Sequence, residues 1–290
     1  MIAVRPSRLR RAALVLAAAL AVGVPSAEAA PKRIVALTPF TANTLVGLDV
    51  KPLAIGQTLG GNERFATELG RVEVLPLAHP NGPNMEQLAT LRPQLVFSSP
   101  TWRKGAQTMR RLDMRVEEAD PVRLADLGAA TKRVGRLVGR EKAARTLAKR
   151  LEHGIKQATK GIKRRPRVLM VLGIGRTPFA FLPNSWGGDL LMRAGAKLVT
   201  AGAKADGGFA RISDEKIVEA DPDIILAVPH ANPDDLDDIK RTMESNELWK
   251  LTSAGENGRI YVSMDNSLLQ AGTDVARVIR TVRQKYLKNW

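Results

Sequence analysis

The chain has 290 residues, 44% of them hydrophobic and 26% charged, with a net charge of +16 and no cysteine. That length suffices for one large domain or two modest ones. The missing cysteine excludes disulfides, thiolate metal sites, a cysteine nucleophile and a lipid-modified cysteine at a cleavage point. In chain order, Arg5, Arg8, Arg10 and Arg11 come first, followed by the apolar run Ala12 to Val24 and the small residues of Ala27-Glu28-Ala29. This is the pattern of a secretory signal, so residues 1–29 are expected to be removed, leaving a chain without a lipid anchor in the periplasm or its equivalent. Those residues carry four Arg and one Glu, and the net charge falls from +16 to +13 without them. A basic exported protein suits an anionic ligand or membrane face. Nucleic acid is disfavoured, because the Lys and Arg are scattered and only 4% of residues are aromatic.

After the signal, Arg33 to Thr38 reads as a strand, Leu45 to Gly56 as a helix end running into a short strand, and Glu86 to Pro100 as a helix and a buried strand. The pattern then returns. EQLATLRPQLVFSSP from Glu86 matches EKIVEADPDIILAVP from Glu215, with Glu, Pro93/Pro222 and Pro100/Pro229 all offset by 129 residues. Arg167 to Leu172 repeats the opening strand, and Leu191 to Gly202 repeats Leu45 to Gly56. Asn84 and Ser213 are the expected N-caps, and Pro93 and Pro222 stop the helices ahead of strands LVF and IIL. Between the copies, Leu124, Leu127, Val134, Leu137 and Val138, then Leu147, Leu151 and Ile155, recur at helical steps around a break at Gly139. The predicted fold class is therefore α/β, with two lobes of mainly parallel sheet joined by a long helical connector and a ligand cleft between them. The expected boundaries are 1–29 for the signal, 30–121 for the N-terminal lobe, 122–165 for the connector and 166–290 for the C-terminal lobe.

RIVALTPFTANTLVGLDVKPLAIG, PNMEQLATLRPQLVF and ISDEKIVEADPDIIL resemble the solute-binding proteins of ABC importers for iron-siderophore complexes, heme and cobalamin. The resemblance covers nearly the whole mature chain. It implies a monomeric receptor that delivers its ligand to a permease dimer with ATPase subunits, with Glu86 and Glu215 as the docking pair. Two exposed carboxylates on equivalent helix starts can grip a two-fold partner. The competing reading is that each Glu only favours its helix dipole.

Strand-end loops supply the cleft candidates: Phe40 and Thr41, Trp102 and Arg103, Arg176, Trp186, Arg211 and His230. Arg103, Arg176 and Arg211 suit carboxylates, and Trp102 or Trp186 suits a flat organic face. The stretch beginning His230-Ala-Asn-Pro233 resembles heme receptors of this superfamily, in which a His in an H-A-x-P loop is an axial iron ligand. Those receptors carry a Met where Asn81 stands here, which leaves His79 as the candidate second axial ligand. Contact to another ligand and a structural role remain open for His230. An iron complex ranks first as cargo, heme ahead of ferric siderophore, with no catalytic cofactor. Cobalamin is the alternative, although six Phe, four Trp and two Tyr offer little surface for a corrin. A secreted α/β enzyme ranks last. LGIGRTP has Pro178 where a dinucleotide loop needs its third Gly, and Ser185 and Ser213 lack triad context.

Overall fold

The computed structural model describes Met1 and residues 30–57, 65–78, 81–162, 165–174, 177–204, 207–231 and 233–288. The expected signal, His79 and Arg176 lie outside the described residues, save for Met1. The N-terminal lobe contains β1 (Ile34–Ala36), α1 (Pro39–Gly47), β2 (Ala54–Gly56), β3 (Glu73–Leu75), β4 (Leu77–Ala78) and β5 (Gly82–Pro83). It continues with α2 (Met85–Thr90), β6 (Leu95–Ser98), α3 (Arg103–Arg111) and β7 (Val116–Glu118). Its main sheet is parallel throughout, in the order β3-β2-β1-β6-β7, with Ile34 opposite Leu95 and Val35 opposite Val96. Both faces of that sheet are covered, so β1 and the Leu95-Val96-Phe97 run of β6 are apolar and fully buried rather than alternating.

The connector is two helices, α4 (Leu127–Leu137) and α5 (Glu141–Ala158). The break falls where the sequence places it: Gly139 has φ +66, a left-handed turn that favours glycine. Helices α4 and α5 then fold back on each other and cross at Gly135, where an added Cβ would overlap the Ala144 side chain. Gly135→Ala is expected to destabilise the protein by about 1–3 kcal/mol in urea unfolding, because two packed helices must separate. Gly128→Ala should stay within about 0.5 kcal/mol, since its new Cβ meets only the mobile carboxyl end of Glu152.

The C-terminal lobe contains β8 (Arg167–Ile174), β9 (Thr177–Phe181), α6 (Trp186–Ala194), β10 (Lys197–Val199), β11 (Phe209–Arg211) and α7 (Asp214–Ala220). It ends with β12 (Ile224–Pro229), α8 (Leu236–Glu244), α9 (Ser253–Glu256), β13 (Ile260–Val262) and α10 (Val275–Lys285). Its sheet runs β11-β9-β8-β12-β13, with β10 sharing the edge of β8. Strands β8, β10, β12 and β13 are parallel, whereas β9 is antiparallel to both β8 and β11. The antiparallel pair departs from the sequence pattern for a local reason: β9 turns straight back from β8, and only antiparallel strands can be joined so briefly.

One apolar core runs through both lobes. Ile34, Phe40, Leu45 and Phe97 join Leu127, Val134, Leu147 and Leu151 of the connector, and the cluster continues to Val168, Leu190, Leu226 and Ile279. Smaller clusters fill the opposite faces, around Leu88, Trp102 and Met109 in the first lobe and Ile217, Met243 and Trp249 in the second. No described helix is long and apolar enough to cross a membrane.

Candidate functional site

In both lobes the parallel strands deliver polar residues at their carboxyl ends, the ends at which open α/β sheets bind ligands. Strands β1, β6 and β7 lead to Thr38, to Ser98 and Ser99, and to Asp120; strands β12 and β13 lead to His230 and Ser263. Thr38 caps α1 by accepting from the Thr41 N–H at 3.3 Å, and its hydroxyl lies 2.7 Å from that of Thr41. The same Thr38 hydroxyl donates to Asp120 Oδ1 at 2.6 Å. Asp120 keeps a solvent-facing edge, yet protein encloses its carboxyl. Burial pushes the group up to about 7, and the bond from Thr38 opposes that rise only in part.

Beyond Asp120 the chain crosses between lobes. The Leu124 N–H donates to Asp189 Oδ2 at 2.8 Å, and this carboxylate sits in the first turn of α6 with the Arg193 guanidinium 3.7 Å away. Nearby, the Trp186 indole N–H donates to the Ser267 carbonyl at 3.1 Å.

His230 is half-buried at the end of β12, and its backbone N–H is tied to the Gly173 carbonyl of β8 at 2.9 Å. Its position is therefore set by two central strands rather than by a loose loop. Arg103, opening α3, and Arg211, closing β11, are both exposed, and among the described residues neither is in an ion pair. The aromatic expectations need correction. Phe40 is 0%, Trp102 5% and Trp186 6% exposed, so these rings are core side chains and present no open face to a ligand. Thr41 is also fully buried and is spent on Thr38. A cavity of about 500 Å³ lies away from the strand ends, between α5, α6 and α10, and its Arg283 already donates to the Ala158 carbonyl at 2.6 Å.

Glu86 and Glu215 occupy matched places in the first turns of α2 and α7. Asn84 caps α2 by accepting from the Glu86 and Gln87 N–H groups at 2.9 and 3.1 Å, and Ser213 caps α7 by accepting from Lys216 N–H at 3.4 Å. Both Glu residues are exposed, and among the described residues neither is in an ion pair. The Ser213 hydroxyl, together with the backbone N–H of Glu215 itself, holds the Glu215 carboxyl below the usual range, so it is ionised at neutral pH.

Sequence reasoning missed Asp120 and Asp189. The signal available for the first was an acid directly before Pro121, at the end of a strand two residues past Glu118.

The periplasmic binding protein family matches residues 34–266. The high-affinity heme uptake system protein IsdE of Staphylococcus aureus is 26% identical over 232 residues, which cover 78% of this chain and 77% of IsdE. Among solved structures, S. aureus IsdE complexed with heme aligns with a TM-score of 0.73 at 23% identity, over 88% of this chain and 98% of that one. The triscatecholate siderophore binding protein FeuA from Bacillus subtilis, complexed with ferri-bacillibactin, aligns with a TM-score of 0.68 at 20% identity, over 88% and 92%. The two lobes of α/β structure are thus shared with both, and the family match over most of the chain settles the kinship: this chain belongs to the periplasmic binding protein family.

Proposed function

We propose that the protein is an extracytoplasmic receptor that captures an iron complex between its lobes, heme first, and delivers it to an ABC import permease. The observation that carries this reading is His230, held at the end of β12 by the Gly173 carbonyl, in a loop of the H-A-x-P form. A neutral imidazole there can ligate heme iron, and Arg103 and Arg211, both exposed, are the proposed partners of the propionates. The similarity to a heme uptake protein supports the same cargo. His79 and Arg176 remain proposed contacts from the sequence. The working units are 30–121, 122–165 and 166–290, the protein acts as a monomer, and Glu86 and Glu215 dock it onto a permease dimer driven by ATPase subunits.

A ferric siderophore is the second reading, favoured by two exposed guanidinium groups without ion partners among the described residues. A hemin titration followed at the Soret band separates the two. Heme as cargo predicts a saturable one-to-one shift, with affinity at least about tenfold weaker in His230→Ala. No shift in the wild type rejects heme and directs the search to anionic ferric complexes, with Arg103→Ala and Arg211→Ala as the variants to test.

A further inference from the structure

The segment 120–124 is a short strap that leaves the N-terminal lobe and enters the connector. It is fastened at both ends by a carboxylate. Asp120 takes the Thr38 hydroxyl of the first lobe at 2.6 Å, and Leu124 gives its N–H to Asp189 of the second at 2.8 Å. Between the fastenings, Pro121 has no N–H to donate, and Val122 and Arg123 are exposed. The strap therefore has few other bonds that fix its path across the strand ends.

The two fastenings differ in their surroundings. Asp189 has the Arg193 guanidinium and the N-terminus of α6 beside it. Among the described residues, the side-chain partner of Asp120 is the neutral Thr38 hydroxyl, itself 2.7 Å from that of Thr41, and Asp120 is in no ion pair. The charged residues of β7 are committed elsewhere. Glu118 pairs with Arg110 at 3.4 Å, and Glu117 pairs with Arg133 of α4 at 2.7 Å and Arg115 at 3.7 Å. Arg123 pairs with Asp126 at 3.5 Å. Among the described residues, an ionised Asp120 thus has a hydroxyl but no paired cation to replace its lost hydration.

We propose that Asp120 is a positioning residue of the cleft: with Thr38 it latches the 120–124 strap to the N-terminal lobe, and binding a proton tightens that latch. In the neutral form the carboxyl remains seated against Thr38. In the ionised form, burial favours conformations in which the carboxyl reaches water, and the strap lifts from the strand ends. The inference does not depend on which ligand the cleft takes. It makes the lobe junction pH-sensitive near neutrality, because the group titrates at about 7 rather than at 3.8. Between those values the folded protein holds a proton that the unfolded chain has lost, so stability falls as pH rises through that window and is level above it.

The test uses the ligand-free protein. Carbon-13 NMR of aspartate carboxyls in the wild type should show one resonance with a midpoint near 7. Thr38→Val, which removes the bond that favours the charge, should move that midpoint upward, and Thr38→Ser should leave it in place. Asp120→Asn should flatten the pH dependence of the unfolding equilibrium constant, which in the wild type rises by up to about tenfold per pH unit below the midpoint. Hydrogen exchange at the Leu124 amide, corrected for intrinsic rate, should accelerate across the same midpoint in the wild type and not in Asp120→Asn. An aspartate set that titrates entirely near 4, or a Leu124 amide whose protection ignores pH, overturns the proposal. Should Asp120→Asn fail to fold, the wild-type and Thr38 measurements decide alone.

Discussion

A receptor carrying Glu86→Ala and Glu215→Ala together is expected to bind its cargo with wild-type affinity and to support no import. Both carboxylates are exposed on helix starts, neither is in an ion pair among the described residues, and caps Asn84 and Ser213 hold the helices without them. Their removal should therefore change stability by no more than about 0.5 kcal/mol. In the proposed docking it removes half of each charge pair with a basic permease surface, and losing a hydrogen-bonded charge pair at an interface costs about 2–5 kcal/mol per site. Two such losses add across sites on separate lobes. Vesicles with the reconstituted transporter provide the measurement: ligand binding intact and uptake absent. Uptake at the wild-type rate, or loss of ligand binding, would remove these residues from the docking role. Each single variant should retain partial uptake.

Trp249→Ala should be the most destabilising of the substitutions considered, at about 3–5 kcal/mol. The indole is 2% exposed and fills the cluster formed with Ile217, Met243 and Ala254 beneath α7. Its N–H donates to Asp214 Oδ1 at 2.7 Å, and the Asn246 amide donates to the same atom at 3.2 Å. The side chain thus supports the helix turn that presents Glu215. Trp249→Phe retains most of the packing and loses one bond to a carboxylate, so about 1.5–3 kcal/mol is expected. Equal effects for the two variants in urea unfolding would mean that the bond to Asp214, lost in both, and not the packed volume governs this site.

The repeat at an offset of 129 residues made much of the fold legible in the sequence. It anticipated α2 and α7 with their caps, and β6 and β12 after their prolines, because caps and helix stops are local chemistry. Strands β9 and β11 escaped notice. Five and three residues long, they carry no pattern that survives without their pairing partners, and Phe209-Ala-Arg211 reads equally well as loop. The exposure of Arg103 and Arg211 was legible in the sequence, and the burial of the aromatic candidates was not. An Arg at a strand end must reach water, whereas a Phe or Trp at the same place can turn inward, as Phe40, Trp102 and Trp186 do. Spacing along a chain does not encode that choice. Asp120 was missed for the converse reason, since a carboxylate is expected in solvent and its burial depends on Thr38, 82 residues earlier.

The apolar core that passes from Phe40 through Leu147 to Ile279 also bears on how a permease would judge its visitors. Separating the lobes widely would bare that core at about 25 cal/mol for each Å², so parting even about 200 Å² costs about 5 kcal/mol. Empty and loaded receptors must then share nearly the same outline. A transporter that grips Glu86 and Glu215 meets much the same handles on both, so empty receptors occupy it as readily as full ones. Import would slow when receptors outnumber cargo, and the abundance of this protein would set a ceiling on the flux it serves.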